Sequence, residues 1–451
     1  MKKFRDPVSS ADQLFLLPPS VSEFVPPDSP ARLLSEIIDS LDCSPLVNRP
    51  FGAGAPSYDP RLLFKVLVFG YWQGLRSSRK LEAALTYDMR YMFLAQMIKP
   101  DYRTISRFRV ENEKAIAALF VETVILCQKL GLVLLEHVAV DGTKIEANVS
   151  GQQTLSTKRL EEAIVTTEAA IAQVLAEAKE CDVREDAEHK DDHKNDPPTG
   201  LQNLEHRKEM LKKAKAELES EKNISVVAAT DLESRVMRID GRNRPCYNAQ
   251  AVVDSKRQVI VAAVVTNHCT DEKLLEPMMA MLIQNTARKP AIVTADGGYW
   301  SPDTGEYAKE SGIDAYVSVQ PLKQRHEITY DQANDQFLDN DNDIFEYQRS
   351  RMQRNVTYKI YRSKLTKREH WVRQDNGRIE EMRAKISSPE GKATYHKRKQ
   401  IVEPVFAHIK GPMNLRRLLL RGMKGASSEY LLACCAHNIQ KIMLIWREQP
   451  I

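Results

Sequence analysis

The stretch Val138-Ala139-Val140-Asp141-Gly142-Thr143-Lys144-Ile145-Glu146-Ala147-Asn148 decides the fold. Apolar runs at 132–135 and 138–140 end abruptly on a carboxylate followed by Gly. That pattern reads as a buried strand delivering Asp141 to the edge of a sheet. Two later carboxylates have settings that complete a site with it. Asp296 lies in Ala291-Ile292-Val293-Thr294-Ala295-Asp296-Gly297-Gly298-Tyr299, and Glu403 ends Tyr395-His396-Lys397-Arg398-Lys399-Gln400-Ile401-Val402-Glu403. Asp141 and Asp296 each follow a short apolar strand and precede Gly, which lets a phosphate backbone approach closely. Strand-end Asp-Gly also serves simply to cap a turn.

Moving outward, the chain before Asp141 is helical. Residues 1–57 are Pro-rich around one helix at 31–41 and read as an arm. Residues 58–130 read as a helical domain. Asp59-Pro60 opens a helix with Leu62, Leu63, Val66, Leu67 and Tyr71 at helical spacing. Further helices start near Ser77-Ser78, cover about 91–97, and run from Asp101 to about 130, with Arg103, Arg107 and Arg109 in the first two turns. A helix, a turn and an Arg-rich second helix suit a helix-turn-helix in a major groove. They equally suit a helical bundle with solvated arginines.

Beyond Asp141 the chain alternates strands and helices, so residues 131–451 read as one α/β catalytic domain with two insertions. The first, at about 151–225, is a charged helical hairpin with apolar stripes (Leu160, Ile164, Ile171, Leu175; Leu204, Leu211, Leu218). Its tip carries His189-Lys190-Asp191-Asp192-His193, which looks like a metal cluster but sits in so polar a segment that a solvated loop is the better reading. Strands are expected at 247–253, 258–265, 292–295 and 315–319, and helices at 271–283 and 301–311. The second insertion, 322–385, reads as small and β-rich. An amphipathic helix over 415–446 closes the chain, with Arg416, Arg417 and Arg421 near its start.

Composition narrows the function classes. The 451 residues are 42% hydrophobic and 28% charged, which fits a soluble globular protein of two to three domains. A net charge of +4 permits nucleic acid without arguing for it, so local clusters must carry that case. Seven Cys without a Cys-x-x-Cys pair exclude a zinc ribbon. No signal-peptide pattern and no apolar run of membrane length is found, so a reducing cytoplasm is the expected home. A Walker loop, a dinucleotide fingerprint and a Gly-x-Ser-x-Gly elbow are all missing from the sequence.

Converging carboxylates suit metal chemistry on a phosphodiester. Two divalent ions about 3.5–4 Å apart activate water and stabilise the leaving oxygen. Mg²⁺ takes oxygen ligands, typically one or two protein carboxylates plus water and phosphate. On a continuous helix, Lys399 and Lys410 fall within about 40° of Glu403, whereas Arg398 falls about 140° away with Val402, Val405 and Ile409. Cations beside a metal-binding carboxylate suit phosphate contacts; an ordinary surface ion-pair ladder has the same spacing. Pro404 either kinks this helix or starts it at Glu403.

At these three segments (AVDGTKIEANVS, TADGGYWS and YHKRKQIVEPVFAHIK) the sequence resembles the DDE transposases of bacterial insertion sequences. The helical segments 59–85 and 101–109 and the closing 415–442 resemble parts of one branch of that family. The resemblance implies an RNase H-like mixed sheet with a helical N-terminal domain, and Asp141, Asp296 and Glu403 as the metal triad. It also implies Mg²⁺ or Mn²⁺, two ions per site. Such enzymes cut DNA at the terminal inverted repeats of their element and join the freed 3′-OH to target DNA, as a homodimer in a synaptic complex in the bacterial nucleoid. Tyr395, Glu403 and Lys410 match the branch's Tyr-Arg-Glu-Lys signature. Its Arg position is ambiguous: Arg398 keeps the spacing from Tyr395, Lys399 that from Glu403, and the helical wheel favours Lys399. Two rival readings share the fold: a catalytically inactive DNA-binding descendant, and a nuclease without strand joining.

Overall fold

The computed structural model describes residues 20–47, 58–149, 154–188, 201–220, 224–319, 328–331, 336–339, 343–353, 356–373 and 378–448. The His189/His193 cluster lies outside them. The chain divides into two compact units: residues 1–126 with 409–451, and residues 127–408.

Eight helices come first: α1 (Val21–Phe24), α2 (Pro30–Ser40), α3 (Ser44–Val47), α4 (Pro60–Trp72), α5 (Ser78–Tyr87), α6 (Met89–Leu94), α7 (Tyr102–Glu111) and α8 (Glu113–Lys129). The Ser29, Asp59, Asp88 and Asp101 side chains each accept a hydrogen bond from a first-turn amide, and Pro30 and Pro60 occupy first helical positions. The helix expected to run from 101 to 130 is interrupted at Asn112. There the Asn112 side chain and its backbone N–H both donate to the Phe108 carbonyl, at 2.8 and 3.0 Å.

The second unit is built on β1 (His137–Glu146). The hairpin insertion comes next as β2 (Thr154–Ser156), α9 (Thr157–Glu188), α10 (Leu201–Ser220) and β3 (Val226–Ala228). Strands β2 and β3 pair at its base, and Leu160, Leu211, Ala214, Leu218 and Val227 form its own core. Then come β4 (Arg235–Ile239), β5 (Arg242–Asp254), β6 (Ile260–Thr266), α11 (Leu275–Thr286), β7 (Ile292–Ala295), α12 (Pro302–Ser311) and β8 (Asp314–Val317). The sheet runs β4-β5-β1-β7-β8, with β6 also on β5. Strand β1 is antiparallel to β5 and parallel to β7, and β7 is parallel to β8. This is the mixed sheet expected from the order of elements, with the RNase H-like arrangement that the resemblance implies.

One strand differs from expectation in a way that matters. Strand β1 does not stop at Asp141; it continues to Glu146, paired throughout with the thirteen-residue β5. What stops is the pairing with β7, whose last partners are Val140 and Ala295. The apolar run ends because residues beyond Val140 have lost one neighbour and, Ile145 apart, are only partly buried. An apolar-to-polar change therefore marked loss of cover on one side, not the end of the strand.

The second insertion is a five-stranded antiparallel sheet: β9 (Ile328–Asp331), β10 (Gln336–Asp339), β11 (Ile344–Gln353), β12 (Val356–Ser363) and β13 (Glu369–Arg373). Helices α13 (Arg378–Ser387), α14 (Pro389–Lys410) and α15 (Gly422–Glu448) finish the chain. Helix α15 belongs to the first unit, where it packs on α4, α7 and α2. It starts later than the sequence indicated, leaving Arg416, Arg417 and Arg421 ahead of it. It is also not amphipathic: Tyr430–Ile439 is buried on every side, as a helix enclosed by other helices must be.

Candidate active site

Register alone sets Asp141 beside Asp296. Val140 pairs with Ala295 on parallel strands, so the next residue of each chain emerges at the same level of the sheet. This is the carboxyl end of β7 and the point where β1 loses its parallel neighbour, the usual place for a site in an open α/β sheet. Asp296 caps the single 3₁₀ turn Gly297–Tyr299, its Oδ1 accepting from Gly298 N at 2.8 Å. Asp141 Oδ1 accepts from Gly142 N at 2.9 Å.

The other oxygen of Asp141 meets Arg398. The Arg398 Nη1 donates to Asp141 Oδ2 at 3.0 Å. Helix α14 is continuous through Pro404, so the helical-wheel geometry applies. Arg398, Val402, Val405 and Ile409 are buried while Lys399 and Glu403 are exposed. The Arg398 guanidinium also lies over the Tyr395 ring, 5.9 Å from its centroid. Burial pushes the Asp141 carboxyl up to about 6; Arg398 and the Gly142 amide oppose this, and the charge of Asp296 adds to it.

Beneath the two aspartates lies a polar network that the motif spacing did not point to. Asn248 Nδ2 and Gln250 Nε2, both from β5, donate to Asp271 Oδ1 at 2.8 and 2.7 Å. Gln250 Oε1 accepts from the buried Tyr299 hydroxyl, whose ionisation burial pushes far up. A signal was available: Asn248 and Gln250, spaced by two in the otherwise apolar run 245–253, put polar groups on one buried face. His137, on β1, sets its Nε2 3.1 Å from Thr294 Oγ1 of β7. Burial, then the charge of Lys397, holds its imidazole down to about 4.

The network explains Gly142, directly after Asp141, and Gly298, two residues after Asp296, by the space it takes up. A Cβ on Gly142 would fall on Gln250 Nε2 and lie 2.9 Å from Asp271 Oδ1. One on Gly298 would lie 3.0 Å from Asp296 Oδ1 and 3.4 Å from Asp271 Oδ2. Neither glycine has a positive φ, so what they supply is space.

Of the residues picked from sequence, Asp141, Asp296 and Arg398 are brought together. Glu403 stands about 140° around α14 from Arg398. Among the described residues no three Asp, Glu, His or Cys side chains gather closely enough to hold a metal ion. Two neighbouring carboxylates facing a cation nevertheless offer the hard oxygen donors that a divalent ion such as Mg²⁺ takes. Trp300 is buried, with no partner for its indole N–H among the described residues. In the first unit, Arg103 and Arg107 lie exposed on α7, whereas Arg109 is buried and donates to Tyr71, the Arg76 carbonyl and Ser78. The third arginine of that run is therefore structural. No described helix is long and apolar enough to cross a membrane.

Two family models match the chain. One, described as the transposase DDE domain, matches residues 135–439, and the other, a transposase domain of otherwise undefined function, matches residues 19–111. No curated protein matches it.

Proposed function

Because the chain belongs to the transposases with a DDE catalytic domain, we propose that it cuts DNA at the ends of an insertion sequence and joins the freed 3′-OH to target DNA. The observation that carries this reading is the side-by-side placement of Asp141 and Asp296 by the Val140–Ala295 register. Asp141 and Asp296 would hold the divalent ions, with Mg²⁺ or Mn²⁺ as the expected metals. When bound, such ions activate the attacking oxygen and stabilise the leaving one. Glu403 occupies the third carboxylate's place in the family motif, and its exposed position on α14 leaves it accessible to metal and DNA from solvent.

The rest is done by the chain's own side chains. Arg398 neutralises Asp141 in this structure, and its planar guanidinium would also suit a phosphate oxygen beside a bound ion. Tyr395, Lys399 and Lys410 on α14 are proposed DNA contacts, as are Arg103 and Arg107 on α7. Attack on each end and the later joining both need the DNA held in line, which these cations supply by contacting phosphates on either side. Pairing of two ends calls for a homodimer in a synaptic complex. The element's terminal inverted repeats and the target DNA are the expected partners.

The test is Mg²⁺-dependent cleavage of a duplex carrying the gene's own flanking repeat. Asp296→Ala and Glu403→Gln should each abolish cutting and leave end binding nearly intact. Equal loss of cutting and binding would give Asp296 a structural role. Cutting that survives Glu403→Gln would remove Glu403 from the site, and tight binding without cutting by the wild type would favour an inactive DNA-binding descendant. Lys410→Ala should reduce the salt dependence of binding by about one phosphate contact.

A further inference from the structure

We propose that Asp271 is a positioning residue of this active site: its carboxylate, wedged against Gly142 and Gly298, holds Asp141 and Asp296 at a fixed separation. The inference rests on the metal-dependent function proposed for the site. Asp271 stands in the loop between β6 and α11, away from both motif segments in sequence, yet its two oxygens reach both. Its Oδ1 lies by Gly142, directly after Asp141. Its Oδ2 shares with Asp296 Oδ1 the space where Gly298 would carry a Cβ.

The carboxylate is not free to drift. Asn248 and Gln250 grip Oδ1 from β5, and Gln250 also donates 3.0 Å to Asn248 Oδ1. Tyr299, three residues after Asp296, holds the far end of Gln250. The loop carrying Asp271 is thereby tied to β5, and β5 is paired with β1 at Asp141 through Ala251. Among the described residues Oδ2 has no hydrogen-bond partner, so Oδ1 anchors the group while Oδ2 abuts the Asp296 turn. Groups placed so behind metal-binding carboxylates orient them, and losing one typically costs about 10–100-fold in metal affinity.

The test compares Asp271→Ala and Asp271→Asn with the wild-type chain. The readouts are Mn²⁺ binding followed by the electron paramagnetic resonance of free Mn²⁺, single-turnover cleavage, and binding of the end duplex. Asparagine keeps the oxygen that both amides grip and fills the same space; alanine does neither. Positioning predicts that Asp271→Ala weakens Mn²⁺ binding about tenfold or more. It also predicts that Asp271→Asn stays within about threefold of wild type and that duplex binding is unchanged in both. Asp271→Ser, too short to reach both amides, replaces the alanine variant should that one not fold. Wild-type Mn²⁺ affinity in the alanine or serine variant would overturn the proposal. So would an asparagine variant as weak as alanine, which would make the charge itself the ligand. An Asp141→Asn chain that binds Mn²⁺ as well as wild type would overturn the metal-site reading, and this inference with it.

Discussion

Arg76 with Glu429, buried in the first unit, and Arg398 with Asp141, part-buried in the second, are both arginine–carboxylate pairs, and their carboxylates differ in how many donors they meet. Glu429 accepts from Arg76 Nη1 at 2.8 Å and from the Leu419 and Leu420 amides at 2.7 and 2.6 Å. The second Arg76 nitrogen, Nη2, donates to the Asn414 and Arg417 carbonyls. That pair pins the segment ahead of α15 and meets Glu429 with three donors, while Arg76 Nε is buried without a partner among the described residues. Asp141 has one bond from Arg398 and one from its own neighbour's amide, with Asp296 beside it. A buried carboxylate met by several donors is structural; a part-buried one with fewer, next to a like charge, is available to a cation.

Four measurements would break or sharpen that contrast. The largest effect is expected at Glu429→Ala, which strands a buried guanidinium and should cost about 3–5 kcal/mol in denaturant-induced unfolding. A loss below about 1 kcal/mol would make this pair no more structural than an exposed one. Next, Gly142→Ala should cost about 1–3 kcal/mol by overpacking against Gln250 and Asp271. Unaltered stability would show that the network beneath the site yields freely, and the contrast in rigidity would fail.

His137 tests how dry the strand below Asp141 is. Its imidazole, held down to about 4, takes up a proton less readily in the folded chain than in the unfolded one. Its contribution to stability is thus fully present above about pH 6.5 and is lost as pH falls toward 4. His137→Gln should flatten that part of the stability–pH curve by about 2 kcal/mol. A curve identical to wild type would mean that water reaches the imidazole. The smallest effect is expected at Asp141→Asn. Removing this part-buried, under-satisfied charge should raise stability in metal-free buffer by about 1 kcal/mol, the usual sign at a site kept for function. Destabilisation on the scale of Glu429→Ala would make the two pairs alike.

Much of the sheet was legible because its signals are local. Short apolar runs bounded by turns marked β7 and β8, and caps and prolines marked α2, α4 and α12. The burial of Arg398 and exposure of Lys399 and Glu403 followed from helical periodicity alone. Other features were not local. The continuation of β1 past Asp141 depends on β5, whose pairing residues lie about a hundred positions later. Burial of α15 on every side depends on helices near the other end of the chain. The interruption at Asn112, where side chain and backbone N–H share the Phe108 carbonyl, has no local apolar or capping signal.

By itself the sequence determined which residues carry charge at strand ends and on helix faces, since hydrophobic periodicity is written into neighbouring positions. It thereby specified a mixed α/β core with a helical N-terminal region, and Asp141 and Asp296 as candidates. Only the tertiary structure decided what those residues meet. It put Arg398 on Asp141, joined Asp271 to the floor of the site, and assigned Gly142 and Gly298 to making room for that floor. Such contacts join positions up to 257 residues apart, and they are chosen by strand register and packing, which no local pattern encodes.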